Sequence, residues 1–169
     1  MDIIQLKQFP IFSNLLDEEV ELFKKITKEV KHSKGKSFIS EGDIGDSVYM
    51  LIDGDVIVNQ ALTLSLDRKG MDNREKSLIK LSSSQSPPPL FGEMSLFNEN
   101  DKRTANVKTI TDCHLLRIMK EDFIKICNEN PNTGYKVMLA LCRLLCKRLV
   151  NANENVLKLT TAFSLVLER

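Results

Sequence analysis

Histidine is scarce, and what there is lies apart: the 169 residues hold two, His32 and His114. The four cysteines, Cys113, Cys127, Cys142 and Cys146, contain no Cys-x-x-Cys pair, and only the last two, four apart on a predicted helix, are neighbours. Zinc, iron–sulfur and haem sites draw on clustered thiolates or well-placed imidazoles, so no metal is expected and the thiols read as reduced and buried. Metal-dependent catalysis in a small β-roll needs about three histidines and a carboxylate around one ion. No Ser-His-Asp or Cys-His set stands in for them, so no enzyme is expected.

An excess of one charge is also missing. Lys plus Arg number 24 against 23 Asp plus Glu, a net charge of +1, which gives no overall field to draw in DNA, RNA or an anionic membrane. An anionic ligand must therefore be met by local charge. No run approaches the roughly 18 apolar residues of a membrane span. The opening Met1-Asp2-Ile3-Ile4-Gln5-Leu6-Lys7-Gln8 has neither a cationic lead into a long apolar run nor a small-residue cleavage site. A cytoplasmic protein that avoids membranes is the expectation, with room for one ordinary domain and an appended element.

Within that frame the chain changes rhythm several times. Residues 10–30 predict a helix beginning after Asp17 as N-cap, with Glu18 and Glu19 in the first turn and Val20, Phe23 and Ile26 on one face. From Lys31 to about Leu81, short runs rich in Ile, Val, Phe and Tyr are cut by Gly35, Gly42, Gly45 and Gly54, an all-β pattern. Ser47–Ile52 reads as a buried strand, and Asp53-Gly54-Asp55 as a hairpin turn into Val56-Ile57-Val58. Asp67–Lys76 reads as a charged hairpin tip and Leu78–Leu81 as a short strand. Ser82–Pro89, ending in three prolines, reads as a mobile loop, since proline has no N–H for a sheet. Strands return at Ala105–Thr109 and Cys113–Ile118. A short helix, Lys120–Asn130, stops at Pro131, and a long one runs from about Asn132 to at least Leu159.

That last helix carries Met138, Leu141, Leu145, Leu149, Ala152, Val156, Leu159, Phe163 and Val166 at steps of three or four. The stripe is on the order of 40 Å long, more than a β domain of about 100 residues covers, and the expectation is a homodimer with the helices side by side. The division expected is residues 1–130, a β part with flanking helices, and 131–169, a long dimerisation helix.

Chemistry concentrates at Phe91-Gly92-Glu93-Met94-Ser95-Leu96, followed ten residues after Glu93 by Arg103-Thr104-Ala105. Guanidinium matches paired phosphate oxygens in a planar fork, while carboxylate accepts from a hydroxyl. A pocket for a phosphodiester joined to a sugar needs this mixture. The plain alternative is that Glu93 and Arg103 form an exposed ion pair, worth about 0–1 kcal/mol.

Helix, glycine-punctuated roll, Phe-Gly-Glu cassette, closing strands, short helix and long helix together resemble the cyclic nucleotide-binding domain family over about residues 8–160. The Gly92-to-Arg103 spacing is similar to that of the bacterial catabolite-activator branch, and Arg103-Thr104-Ala105 is similar to cyclic-GMP-dependent kinases and nucleotide-gated channels. The resemblance implies a mainly β fold with α elements: a double-stranded β-roll (jelly-roll), an N-terminal helix, a short helix in the phosphate cassette and the long C-terminal helix.

It further implies that Glu93 accepts from the ribose 2′-hydroxyl, with the Gly92 amide close to the sugar. Arg103 pairs with the equatorial phosphate oxygens, Thr104 adds its hydroxyl or amide, and Met94, Ser95 and Leu96 form a short turn with N–H groups toward the anion. Phe91 and Ala105 complete the two motifs. The long helix lids the base, and Asn153 takes the place that reads the adenine amino group. Thr104, by contrast, is the residue type that cyclic-GMP readers use.

The ligand expected is a cyclic nucleotide, cyclic AMP ahead of cyclic GMP, in a regulatory protein that signals to an effector protein through helix rearrangement. Two departures stand out. Ser86-Pro87-Pro88-Pro89-Leu90 replaces the family's glycine-containing turn, and the chain stops at Arg169, short of the helix-turn-helix domain of the transcription factors, so no DNA binding is expected. The competing expectation is a dimeric interaction module of the same fold that binds no nucleotide.

Overall fold

In chain order the elements are α1 (Ile3–Lys7), α2 (Asp17–Ile26), β1 (Thr27–His32), β2 (Ser37–Ile39), β3 (Ser47–Asp53), β4 (Asp55–Ala61), β5 (Glu75–Ser82), β6 (Leu90–Phe91), α3 (Met94–Phe97), β7 (Asn106–Thr109), β8 (Cys113–Met119), α4 (Lys120–Glu129) and α5 (Pro131–Leu167). They come from a computed structural model that describes residues 2–61, 75–97 and 102–167.

The strands form two four-stranded antiparallel sheets, ordered β1-β8-β3-β6 and β2-β7-β4-β5. Strand β3 explains the layering. Tyr49 and Leu51 enter a core between the sheets with Ile39, Val56, Phe91, Val107 and Leu115. Val48 and Met50 point the other way, into a core with Phe12, Phe23, Phe123, Val137 and Leu141 from the helical side. A strand buried on both faces loses the apolar/polar alternation of a surface strand, which is why Ser47–Ile52 reads as one continuous apolar run.

Four local expectations change. The helix expected over residues 10–30 ends at Ile26, and Thr27–His32 is strand β1. Asp17 is the first residue of α2 rather than its cap; Leu16 holds the cap position, and its N–H donates to Glu19 Oε2 at 2.8 Å. The Asp53-Gly54-Asp55 turn is a corner and not a hairpin, because β3 and β4 belong to different sheets. Gly54 sits at φ +97, and a Cβ there would lie 2.4 Å from the Asp112 carbonyl, so the corner takes only glycine. Of the charged stretch Asp67–Lys76, residues 67–74 lie outside the described residues and Glu75 and Lys76 open β5.

The proline loop is tied to the roll at both ends. Ser83 N–H donates to the Gly54 carbonyl at 3.0 Å, and Leu51 N–H to the Pro89 carbonyl at 3.0 Å. Pro131 opens α5, where its missing N–H costs no helical bond.

With 37 residues, α5 is about 55 Å long. Its first turns are buried at Thr133, Gly134, Val137 and Leu141, so Leu141, grouped with the outer stripe by sequence, packs on its own domain. A Cβ at Gly134 would meet the Cys127 carbonyl at 2.6 Å, which measures how closely α5 crosses α4. Farther along, Leu149, Val156, Leu159, Phe163 and Val166 are exposed. Among the described residues, no helix is long and apolar enough to cross a membrane.

Candidate ligand-binding site

Arg103 is built into the fold from both sides. Its N–H donates to the Asp43 carbonyl at 2.8 Å and its carbonyl accepts from Gly42 N–H at 2.9 Å, so the loop between β2 and β3 fixes its backbone. The residue is 7% exposed and its guanidinium lies in a slot: Nη1 donates to the Gly92 carbonyl at 3.0 Å and to Ser95 Oγ at 2.8 Å, and Nη2 to Ser47 Oγ at 3.3 Å. Tyr49 lies beside it, 5.9 Å from guanidinium carbon to ring centroid.

Two glycines make the slot. A Cβ at Gly45 would fall 2.2 Å from Ser95 Cβ and Oγ, and one at Gly92, which holds φ +81, would fall 2.7 Å from Arg103 Nη1. Burial lowers the Arg103 pKa from the ordinary arginine value, opposed by Tyr49 and the carboxylates of Asp46, Glu93 and Asp43. The side chain stays cationic, as arginine does in proteins. Among the described residues its nearest ion-pair partner, Asp46 Oδ1, is 3.8 Å away. The buried cation is thus held mainly by neutral acceptors, which leaves its charge available to an anion.

Glu93 is 1% exposed and starts the turn into α3, its carbonyl accepting from Leu96 N–H at 3.0 Å. Its carboxylate does not pair with Arg103 on the surface. Arg148 from α5 donates through Nη1 to Glu93 Oε1 and through Nη2 to the Leu90 carbonyl. Arg148 is absent from the residues expected of the site. Its one signal in the sequence is a charge on the domain-facing stripe of α5, seven residues after Leu141.

Arg103 and Glu93 line one cavity of about 350 Å³, within the size range of small-molecule sites. Phe91, Gly92, Met94, Ser95, Thr104 and Ala105 line it as well, so the two sequence motifs meet in space. Strands contribute an apolar wall of Ile39, Val58, Ile79, Leu81 and Val107, and α5 contributes Arg148, Asn151, Ala152 and Asn155. Asn153 is not among the lining residues. The α5 positions that are follow i, i+3, i+4 and i+7, one helix face, and Asn153 is turned about 200° from Asn151. Thr104 Oγ1 lies 3.9 Å from Met94 Sδ at the exposed rim.

Among the described residues no group of three or more His, Cys, Asp or Glu side chains is placed to hold a metal ion.

Residues 29–130 match the cyclic nucleotide-binding domain family, and the chain belongs to it. It is 29% identical over 140 residues to the Cyclic AMP receptor protein of Thermus thermophilus, covering 83% of this chain and 59% of that one. It is 32% identical over 102 residues to cGMP-dependent protein kinase, isozyme 1, of Drosophila melanogaster, covering 60% of this chain and 12% of the kinase. Among solved structures, Thermus thermophilus Catabolite Activator Protein superposes with a TM-score of 0.71 at 28% identity, covering 90% of this chain and 63% of that one. A cyclic nucleotide-binding domain from Methylobacillus flagellatus shares the fold, with a TM-score of 0.74 at 18% identity over 92% of this chain and 80% of that one. The chain spans 59% and 50% of the lengths of two bacterial cyclic-AMP regulators it matches.

Proposed function

We propose that this chain is a regulatory module that binds a cyclic nucleotide and reports its occupancy through α5. The observation that carries the reading is the pair of buried, oppositely charged groups, Arg103 and Glu93, on one small cavity. On this reading Arg103 takes the equatorial phosphate oxygens, Ser95, Thr104 and Ala105 flank the phosphate, and Gly92 brings backbone close to the sugar. Glu93 accepts from the ribose 2′-hydroxyl while sharing its charge with Arg148. The apolar wall and Phe91 receive the rest of the nucleoside.

Cyclic AMP is favoured over cyclic GMP on the chemistry of the α5 wall. A carboxamide offers an acceptor and a donor side by side, which matches the adenine N6–H₂ and N7 edge. Asn151 and Asn155 provide two carboxamides, the role expected of Asn153. Guanine presents acceptors at O6 and N7, which suit a cation, and Arg148 is already engaged by Glu93 and Leu90. Thr104 is the remaining hint toward cyclic GMP.

Signal output follows if the ligand binds one setting of α5 more tightly than another. The exposed seam of α5 pairs with a second copy, and an effector protein reads the change. The second reading, an interaction module that binds no nucleotide, is favoured by one observation: Arg148 already occupies the Glu93 carboxylate.

Calorimetric titration with cyclic AMP and cyclic GMP, wild type against Arg103→Ala, separates the readings. Binding that the substitution weakens by at least tenfold supports the sensor; no heat with either nucleotide leaves the interaction module.

A further inference from the structure

Glu19 lies outside the cavity, yet it is the buried charge that fixes the base of α5. Its side chain leaves α2, is 9% exposed, and accepts four hydrogen bonds. They come from Leu16 N–H at 2.8 Å, Thr133 Oγ1 at 3.0 Å, and Lys136 Nζ at 2.7 and 2.8 Å to its two oxygens. Thr133 and Lys136 belong to the first two turns of α5. Besides the backbone bond from Gly134 N–H to the Asn130 carbonyl at 2.8 Å, which closes the turn from α4 into α5, the other contacts described for this segment are apolar or steric, through Val137, Leu141 and the Gly134–Cys127 approach.

Apolar packing has no preferred direction, whereas hydrogen bonds hold within a few tenths of an ångström. The Glu19 carboxylate therefore selects the direction in which α5 leaves the domain. Leverage makes that direction matter. From Lys136 the helix rises about 18 Å to Arg148 and about 28 Å to Asn155. A tilt of about 5° at the base would thus move the cavity wall by roughly 2 Å, enough to separate Arg148 from Glu93 and the carboxamides from a bound base.

We propose that Glu19, through Thr133 and Lys136, is a positioning residue for the nucleotide site, setting its affinity from the far end of the helix. The inference rests on the proposed function for its ligand but not for its geometry. Linkage gives a corollary: whatever loosens the α2–α5 junction weakens binding, and bound nucleotide in turn tightens that junction.

Two mild substitutions test this. Glu19→Gln keeps the shape and one acceptor oxygen, for Leu16 N–H, and turns an NH₂ toward the Thr133 hydroxyl, which accepts in its turn, but it removes the charge; Lys136→Met removes the partner at a partly exposed position, and Lys136→Arg is the conservative control. Each protein is titrated with cyclic AMP well below its melting temperature, and amide hydrogen exchange is followed without nucleotide. Expected are a loss of affinity of about fivefold or more in Glu19→Gln and Lys136→Met, faster exchange across residues 144–155 and 90–97, and near wild-type behaviour in Lys136→Arg.

A purely structural Glu19 would lower the melting temperature and leave affinity and the exchange of those two segments unchanged, which overturns the proposal. Should wild type bind no nucleotide, the functional reading falls, and exchange alone decides the positioning role.

Discussion

Arg148, halfway along the long helix, donates to the carboxylate of Glu93 and at the same time to the carbonyl of Leu90, either side of the Gly92 turn. The helix is thereby bonded on both sides of Gly92, whose carbonyl accepts from the buried Arg103. The long helix and the Arg103 slot are coupled through adjacent residues of one cassette, and what happens to Glu93 is felt by α5.

Removing that coupling leaves a buried carboxylate without its cation. Arg148→Met is expected to lower stability by about 1–3 kcal/mol, the usual cost of orphaning a buried charged acceptor, as measured by urea unfolding. Adding Glu93→Gln to it recovers part of the loss. An Arg148→Met protein as stable as wild type would show that the pair contributes nothing.

The slot around Arg103 has no room for a methyl group at Gly45. Gly45→Ala forces Ser95 or the guanidinium aside, since its Cβ would fall 2.2 Å from Ser95. The expected result is a folded protein by circular dichroism with nucleotide affinity reduced at least tenfold by calorimetry. Gly35→Ala is the control for added bulk, because nothing lies within 4 Å of a Cβ there and its N–H is bonded to the Thr109 carbonyl, not to Arg103. That control perturbs the backbone at φ +83 without touching the slot.

Tyr135, Met138, Cys142, Leu145, Leu149, Ala152, Val156, Leu159, Phe163 and Val166 follow one another at alternating steps of three and four, a heptad seam. Leu159→Glu with Phe163→Glu should convert a dimer to a monomer in sedimentation. If two copies pair in parallel and in register, Cys142 faces its equivalent. Mild oxidation then cross-links Cys146→Ser but not Cys142→Ser. An antiparallel pair, centred so that the two helices overlap fully, would hold the two Cys142 residues roughly 21 Å apart along the axis and give no such product.

The thiols should sort by burial. Cys113 and Cys127 are buried and Cys142 and Cys146 exposed; burial raises the Cys113 pKa and pushes that of Cys127 up to about 11. Since the thiolate is the nucleophile, iodoacetamide near neutral pH should modify Cys146 in the native protein, and Cys142 as well in the monomeric Leu159→Glu/Phe163→Glu variant, where the seam is open. Modification of Cys113 and Cys127 should follow only unfolding, as read by mass spectrometry. Early alkylation of Cys127 would contradict the packing of α4 on α5.

Acid should release the base of α5. The hydrogen bond from Lys136 is the main cause holding the Glu19 pKa below its ordinary value of 4.5, with burial opposing it. A carboxylate whose pKa is depressed on folding adds stability above its unfolded pKa and loses that contribution as pH falls through the folded value. The stability gap between wild type and Glu19→Gln should therefore be full near neutrality and close as pH drops below about 4. A gap that stays constant or widens in acid would contradict this sign.

By itself the sequence determined most of the longer elements and the two motifs, but not α1, the short β6, or the change from helix to strand at Thr27. Glycine spacing, the continuous apolar run of β3, the stop at Pro131 and the three-and-four stripe are local properties, set by backbone sterics and side-chain periodicity, and each is present in the fold. Phe91–Leu96 and Arg103–Ala105 were readable for the same reason: the chemistry of a phosphate and a hydroxyl asks for those residue types at short separation. Only the tertiary structure decided which strands pair across the Gly54 corner, because a turn residue fixes the local φ but not the sheet that receives the next strand. It also decided the helix phase. Arg148, Asn151 and Asn155 face the cavity while Asn153 does not, since the rotation of a long helix about its axis depends on what packs against it. Glu19 meets Lys136 across 117 positions of the chain, and no local pattern encodes a contact between two charges that folding alone brings together.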